Sequence, residues 1–447
     1  MVSQRIRRRL ARVALAGLIL CCGLVGLGGS AGATQSGTAM DQLRWVVSAT
    51  ANLPVPDSVL EQHFSATALQ AAGGPDKLNQ LLGELGPLSL GKILDNEPTT
   101  VTAIISAAKT SYLGELVVDS TGLISSFGLG PYLPAPQSWS ALSTQLSTLA
   151  PQVSFAASEI QPNGQCRLLY GDNANTDRPL GSAFKLYVLG ALGNAVAEHK
   201  ASWTEQLAIH ENWKSLPSGV LQNDPAGTKL TLRQYADYMI SISDNTAADH
   251  LIHFLGRDAV QDQLVRFGNH DAAEDVPFLT TRELFVLKGV QYPTLADAYL
   301  ALPRPAKAAA LVAADQVPLS QVKAWTNAED VDQLEWFASP TDICRAYAGL
   351  AKENAAPGLS PIGAALSIND GGIGLDRARY PTVWFKGGSE PGVLTLNYLA
   401  KTADGRVLVD SVMLADPTTA FDESAVTGAV LALARGGIQL ADAATRG

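Results

Sequence analysis

The spacing of apolar residues changes character several times in the first third of the chain. Helical spacing covers residues 42–50 and 56–84, and Gly73-Gly74-Pro75 interrupts the second stretch. Four short β-like runs separated by turn residues follow, at residues 88–94, 99–105, 113–119 and 122–129. Helices followed by an antiparallel meander predict a small α+β domain over residues 40–135.

A second pattern begins near residue 150, after a boundary rich in Pro and Ser at residues 131–147. Residues 152–159 and 166–170 read as two strands joined by Pro162-Asn163-Gly164, which is a hairpin signal. Further helical stretches lie at residues 183–200, 230–255, 340–351 and 421–435, and further strand-like runs at 382–386, 394–401 and 407–414. Two strands, a helical middle, three strands and a last helix predict a second domain over residues 150–440.

The first residues have the parts of a secretory signal peptide. Five arginines precede an apolar run at residues 13–27, and Ala31-Gly32-Ala33 fits a cleavage site. We expect residues 1–33 to be removed after Ala33, and the mature chain to be secreted or held at the cell envelope. A retained membrane anchor is the alternative, although the run is short for a spanning helix. Leu20 precedes Cys21-Cys22, which makes lipidation unfavourable.

The mature chain is acidic, and its histidines are not accompanied by a complete metal-binding motif. The formal charge of −10 falls to about −15 without the leader arginines, which argues against a nucleic-acid partner. Cys166 and Cys344 could form a disulfide, but two separate buried thiols are the favoured interpretation. His250 and His253 are predicted on a solvated helix face, because no third ligand motif accompanies them. We expect no metal and no organic cofactor.

Three polar motifs follow one another in the second domain. Ser182-Ala-Phe-Lys185 is a common type of pattern, since Ser-x-x-Lys also occurs at 89–92, 106–109 and 320–323. Ser182 alone is followed by Ser243-Asp244-Asn245 and then by Lys386-Gly387-Gly388-Ser389. The ordered trio, rather than any one motif, points to nucleophilic serine chemistry.

Each motif has a chemical reason. A serine hydroxyl needs a base, and Lys185 lies one helical turn from Ser182. Lys185 could be that base if burial or the charge of Lys386 lowers its pKa. We expect Ser182 at the start of its helix, where its backbone N–H and that of Ser389 would bind an oxyanion. Gly388 would let the strand come close to the nucleophile.

The remaining motif residues are assigned to the substrate and to the leaving group. The Ser243 hydroxyl would pass a proton to the leaving nitrogen, and Asn245 would bind a substrate amide. Asp244 is predicted to cap the following helix rather than to react. Phe385, beside Lys386, is predicted to line the cleft.

On these motifs the second domain resembles the serine β-lactamase and penicillin-binding protein superfamily, closest to class A. The resemblance implies a five-stranded antiparallel sheet with helices, an all-helical subdomain, and a β-lactam-like small-molecule substrate. The two-domain layout resembles lactamase-like proteins of clavulanic acid gene clusters and their actinobacterial relatives. Their N-terminal domain is cystatin-like or steroid-isomerase-like, and a supporting or docking role is expected for it here.

Two departures from the class A pattern bear on the expected activity. Gly387 stands where the family usually has Thr or Ser, so one ligand for a substrate carboxylate is lost. The Glu-x-x-x-Asn pair that holds the deacylating water is missing after Ser243, where the nearest acids are Glu274, Asp275 and Glu283. Glu283 is predicted to be a helix-surface carboxylate, and residues near 283–335 an insertion or a remodelled loop.

The sequence therefore predicts a serine hydrolase that forms an acyl-enzyme and deacylates slowly or by another route. Two alternatives stay open. One is a peptidase or esterase that acts on cell-wall peptides or acetylated small molecules. The other is a β-lactam-binding protein that is acylated once and stays blocked. The oligomeric state and the natural substrate do not follow from the sequence.

Overall fold

The computed structural model describes residues 37–444, and the predicted signal peptide with Cys21 and Cys22 lies outside them. The chain divides into two compact units after Leu133. Each unit has its own apolar core.

The first unit contains four helices and one four-stranded sheet. The helices are α1 (Ala39–Ala49), α2 (Asp57–His63), α3 (Ala66–Ala71) and α4 (Pro75–Leu85). The strands are β1 (Leu88–Asn96), β2 (Thr100–Ala107), β3 (Thr110–Val118) and β4 (Ile124–Pro131), which pair as an antiparallel meander. The predicted second helical stretch is broken twice, because Ser65 and Gly74 each begin a new helix as its N-cap. Its likeness to a cystatin or a steroid isomerase stays a prediction.

The second unit is built around a five-stranded antiparallel sheet in the order β11-β12-β13-β5-β6. Its strands are β5 (Gln152–Ile160), β6 (Cys166–Asp172), β7 (Arg178–Pro179), β8 (Gln206–Ala208), β9 (Lys229–Thr231), β10 (Phe337–Ala338), β11 (Thr382–Glu390), β12 (Val393–Lys401) and β13 (Val407–Ala415). The short strands β7 and β10 pair with each other, as do β8 and β9. The predicted α+β class and five-stranded sheet are confirmed.

Helices cover both faces of this sheet. They are α5 (Trp139–Leu146), α6 (Lys185–Ala197), α7 (Leu232–Ser241), α8 (Asn245–Leu255), α9 (Arg257–Phe267), α10 (Thr281–Gly289), α11 (Thr294–Leu300), α12 (Arg304–Ala314), α13 (Pro340–Asn354), α14 (Pro361–Ser367) and α15 (Glu423–Ala444). One apolar core lies between the sheet and α6, α7, α8 and α13, and another between the sheet and α5 and α15. Helix α15 is long and apolar enough to cross a membrane, but 56% of that window is buried in the fold.

Several local predictions were wrong. The Ser-rich boundary contains α5, which begins with Ser138 as its N-cap. The single helix predicted over residues 230–255 is two helices, because Ser243 between them has a left-handed backbone with φ of 56°. Residues near 283–335, predicted to be an insertion or a remodelled loop, contain α11 and α12, which is compatible with an insertion.

Cys166 and Cys344 form a disulfide, so the interpretation as two separate thiols was wrong. Cys166 begins β6 and Cys344 lies in α13, with their Cα atoms 6.2 Å apart. The bond ties the edge of the sheet to the helix that packs on it. Sequence spacing does not show the proximity of two cysteines 178 residues apart.

Candidate active site

Ser182 lies in a tight turn rather than in the helix itself. A 3₁₀-helix covers Gly181–Phe184, and α6 begins at Lys185. The Phe184 ring stacks on Trp336 with centroids 3.9 Å apart, and the Leu180 N–H donates to the Trp336 carbonyl at 2.8 Å. These contacts hold the turn that carries the partly exposed Ser182.

Strand β11 passes directly beside this turn. A Cβ atom at Gly388 would lie 2.5 Å from the Ser182 nitrogen, and one at Gly181 would lie 2.8 Å from the Ser389 nitrogen. Gly181 also has a φ of 49°, which a residue with a side chain adopts with strain. Both glycines are therefore required for the approach, which brings the segments that carry the Ser182 and Ser389 nitrogens close together.

The Lys185 amine lies at the centre of the polar cluster. Its Nζ is 3.0 Å from Ser182 Oγ and 3.1 Å from Ser243 Oγ. It donates to the Ser243 carbonyl at 2.7 Å and to Asn245 Oδ1 at 2.6 Å. The side chain is completely buried, so these four oxygens replace water around the amine. This arrangement brings the predicted base within hydrogen-bond reach of the predicted nucleophile.

The Ser243 hydroxyl connects the two lysines. Lys386 Nζ lies 3.0 Å from Ser243 Oγ and 2.7 Å from the Gly387 carbonyl. Asp244 is the N-cap of α8, and its carboxylate accepts the Ala247 N–H at 2.8 Å, as predicted for a capping residue. The strained backbone at Ser243 thus holds its hydroxyl between two amines from separate segments of the chain.

Burial lowers the pKa values of both amines. Burial lowers the pKa of Lys185 to about 7, and the charges of Asp244 and Asp249 oppose that change in part. Burial lowers the pKa of Lys386 well below its usual range, and the charge of Lys185 lowers it further. Desolvation alone accounts for the lowered pKa of Lys185, and the predicted contribution of the Lys386 charge is not among its causes. A neutral Lys185 at neutral pH is what a base requires.

Two predicted substrate contacts have other partners. The Asn245 side chain donates to the Leu216 carbonyl at 3.1 Å as well as accepting from Lys185, so it orients the base. Phe385 lies on the face of β11 opposite to Lys386 and stacks on Tyr398 with centroids 4.8 Å apart. The prediction that Phe385 lines the cleft beside Lys386 was wrong because successive strand residues point to opposite faces.

Three polar residues assigned to solvated surfaces are buried or partly buried. Glu283 has no exposed surface; it bonds to Arg257 at 2.5 and 3.0 Å and accepts the Thr280 N–H at 2.7 Å. His250 is buried, with Nδ1 2.7 Å from the Thr246 carbonyl, and His253 stacks on Trp213. These interpretations failed because helical spacing alone does not show which neighbouring elements cover a helix.

Two residues near the turn were missed by the sequence. Ser218 Oγ donates to the Ser243 carbonyl at 2.7 Å and so helps to hold its backbone. Glu335 Oε2 accepts the Gly181 N–H at 3.1 Å. The available signal for Glu335 was an acid inside the apolar run Leu334-Glu335-Trp336-Phe337, which indicates a buried carboxyl.

Among residues 37–444, the group with metal-binding geometry is Asp177, His270 and Asp342. Asp342 also accepts from Ser339 and Arg345, with His270 Nδ1 at 2.7 Å. These bonds stabilise the first turn of α13.

Residues 150–300 match the model of the beta-lactamase enzyme family. None of the curated proteins matches the chain. A β-lactamase from Sphaerobacter thermophilus is 21% identical with a TM-score of 0.48, over 69% of this chain and 98% of that chain. PBP-A is 15% identical with a TM-score of 0.46, over 69% and 99%. A β-lactamase from Chitinophaga pinensis is 18% identical with a TM-score of 0.46, over 68% and 98%.

The matched range contains Ser182, Lys185 and Ser243, which the fold brings together with Lys386. Over residues 150–300 the second unit is thus similar to the beta-lactamase enzyme family.

Proposed function

We propose that the second unit is a secreted serine hydrolase that opens β-lactams or related amides and esters through an acyl-enzyme. The observation that carries the proposal is the contact of 3.0 Å between Lys185 Nζ and Ser182 Oγ within a buried polar cluster. Ser182 is the nucleophile and Lys185 the general base in this mechanism.

Acylation begins when Lys185 takes the Ser182 proton and Ser182 Oγ bonds to the substrate carbonyl carbon. The carbonyl electron pair moves onto oxygen, and the Ser182 and Ser389 N–H groups stabilise that charge. As the carbonyl re-forms, the carbon–nitrogen bond breaks. The proton held by Lys185 passes through the Ser243 hydroxyl to the leaving nitrogen, so the lysine is neutral again at the end of the step.

Lys386 faces a substrate carboxylate in this scheme. An anion beside a buried amine raises the pKa of that amine, so binding of an acidic substrate favours protonated Lys386. Ser389, which is exposed at the end of β11, could add a hydroxyl where Gly387 lacks one. The substrate class that fits is a small molecule with a reactive amide or ester and a carboxylate.

The partners of the acids that follow Ser243 in the sequence support slow deacylation. Glu283 is held by Arg257, and the buried Asp275 accepts the Phe337 N–H at 2.8 Å. A carboxylate engaged in this way is not available to activate water. Water attack on the acyl-enzyme would then rely on Lys185, which supports release that is slower than acylation.

The disulfide supports an extracytoplasmic location, because structural disulfides persist in oxidising compartments. The proposed location is outside the cytoplasm, with residues 1–33 removed. N-terminal sequencing of the exported protein should find Thr34 first, and retention of the arginine-rich leader would contradict the proposal.

The decisive experiment is intact-protein mass spectrometry after mixing with penicillin G. A covalent adduct of the full penicillin mass on Ser182 is expected, with a lifetime much longer than the acylation time. Ser182→Ala should give no adduct. Ser320→Ala, at an exposed Ser-x-x-Lys, is the matched control and should be labelled like the wild type. Labelling of Ser182→Ala would contradict the assignment.

The partners of Glu283 and Asp275 favour a second candidate, a β-lactam-binding protein that does not turn over. Such a protein would keep the covalent penicillin adduct and release no hydrolysed penicillin, whereas a lactamase releases hydrolysed penicillin. Parallel assays with a chromogenic cephalosporin, a D-Ala-D-Ala peptide and a simple ester separate both from a peptidase or esterase.

A further inference from the structure

A second buried ionic cluster lies directly behind the nucleophile turn. It joins Lys288 near the end of α10, Glu390 at the end of β11, and Glu335 just before β10. The Lys288 side chain is completely buried and that of Glu390 is 8% exposed, while Glu335 as a whole is 6% exposed. Lys288 Nζ donates to Glu390 Oε1 at 2.6 Å and lies over the Trp325 ring. The cluster therefore contains two carboxyl groups but one ammonium group.

The hydrogen bonds of the two carboxyl groups leave one oxygen of each without another donor. Glu335 Oε2 accepts the Gly181 N–H at 3.1 Å and the Trp336 N–H at 2.9 Å. Glu335 Oε1 and Glu390 Oε2 are both buried without a hydrogen-bond partner, and the two carboxyl groups are electrostatic neighbours. Two ionised carboxylates in contact would place an uncompensated negative charge in a site without water.

We propose that Glu335 and Glu390 share one proton, and that this proton makes Glu335 a positioning residue for the nucleophile turn. Glu335 Oε1–H donates to Glu390 Oε2, Glu390 Oε1 accepts from Lys288, and Glu335 Oε2 holds the Gly181 N–H. The charges of the cluster then balance. Gly181 precedes Ser182, and Glu390 follows Ser389, so the pair fixes the segments that carry both oxyanion donors.

The surroundings of the pair agree with a bound proton. Burial raises the pKa of Glu335 well above its usual range, and the charge of Glu390 raises it further, against the opposing charge of Lys288. Glu329, on the segment before Glu335, is a further charged group near Lys288 and Glu390. It is an acid, so its charge also favours retention of the proton.

The acylation rate gives the first test, and this arm rests on the proposed function. Loss of the proton at alkaline pH would drive the carboxylates apart and disturb Gly181, so wild-type acylation by penicillin G should fall there. Glu335→Ala should slow acylation at least tenfold at neutral pH. Glu335→Gln keeps an acceptor for Gly181 and a donor for Glu390, so it should restore most of that rate and abolish the alkaline fall. Glu353→Gln, at a half-buried glutamate whose pKa burial also raises, is the control and should keep the wild-type profile.

Stability against pH gives a second test that does not depend on catalysis. The folded protein holds a proton that the unfolded chain releases, so wild-type stability should decrease as the pH rises above the ordinary glutamate range. Glu335→Gln and Glu390→Gln should each flatten this decrease, because each leaves a cluster that balances without the proton. The double variant leaves Lys288 without a carboxylate and should be less stable than either single variant.

The outcomes separate the two proposals. If penicillin labels nothing but both single variants flatten the pH dependence of stability, the shared proton stands and the hydrolase assignment fails. If Glu335→Gln keeps the wild-type pH dependence of stability, or slows acylation as much as Glu335→Ala, the shared proton is refuted.

Discussion

Acylation of Ser182 should become slower as the pH falls below 7, because the base must be neutral to accept a proton. Burial lowers the pKa of Lys185 to about 7 from an ordinary value near 10.5. At pH 7 about half of the molecules then hold a neutral lysine, and at pH 5 about one in a hundred. The acylation rate should therefore fall about tenfold per pH unit below pH 6.

The assay is rapid mixing with penicillin G followed by quenching and intact mass measurement, so that acylation is separated from deacylation. Lys185→Met keeps the length and removes the amine, and it should reduce the acylation rate by about 10³-fold or more. Lys323→Met alters the exposed lysine of another Ser-x-x-Lys and should leave the profile unchanged. A profile that is flat from pH 5 to 7, or one whose midpoint lies near pH 10, would refute a base made neutral by burial.

Three further predictions concern stability. Replacing Cys166 and Cys344 by Ala should lower the free energy of unfolding by roughly 3–5 kcal/mol in denaturant titrations. A cross-link spanning 178 residues lowers the conformational entropy of the unfolded chain, which is equivalent to about 5 kcal/mol of stability. A loss under about 1 kcal/mol would contradict this. Burial holds the pKa of Asp410 well above its usual range, and neither of its carboxyl oxygens has a hydrogen-bond partner within residues 37–444. The free energy of unfolding of the wild type should therefore be highest at low pH and decrease as the pH rises. Asp410→Asn should therefore match the wild type at pH 4 and exceed it at pH 8, and equal differences at both pH values would count against it. Ser243→Gly should be more stable than Ser243→Ala by about 1 kcal/mol in the same titrations, because glycine adopts a φ of 56° without strain. Both variants should lose the proton transfer to the leaving nitrogen that Ser243 carries out. Equal stability of the two variants would count against backbone strain at this position.

The sequence predicted the strands and the residues of the reacting cluster well, for a physical reason. Strand alternation and turn residues are local signals, and they located the hairpin β5–β6 and the strands β11 to β13. The order of the three motifs also carried long-range information, because a serine nucleophile requires a base and a proton relay in one place. Ser182, Lys185, Ser243 and Lys386 could thus be grouped before any contact was known.

What the sequence could not predict depends on which elements cover which side chains. Glu283 and His250 have ordinary helical positions, and only the packing of neighbouring helices shows that they are buried. The Cys166–Cys344 bond joins a strand to a helix that are far apart in the chain. Glu335 stands in a segment without regular structure, and its role depends on contacts with Gly181 and Glu390 that no periodicity encodes.

The two buried clusters limit the proposed activity from opposite sides of the pH scale. Lys185 must have lost a proton for the nucleophile to form, whereas Glu335 must have kept one for the turn to hold its shape. Burial supplies both conditions, because desolvation lowers the pKa of an amine and raises that of a carboxyl. The clusters have no side chain in common, so Glu335→Gln should remove the alkaline limb of the acylation profile and leave the acid limb at the pKa of Lys185. A shift of the acid limb in that variant would mean that one proton equilibrium governs both limbs, and the separate assignment of base and positioning residue would fail.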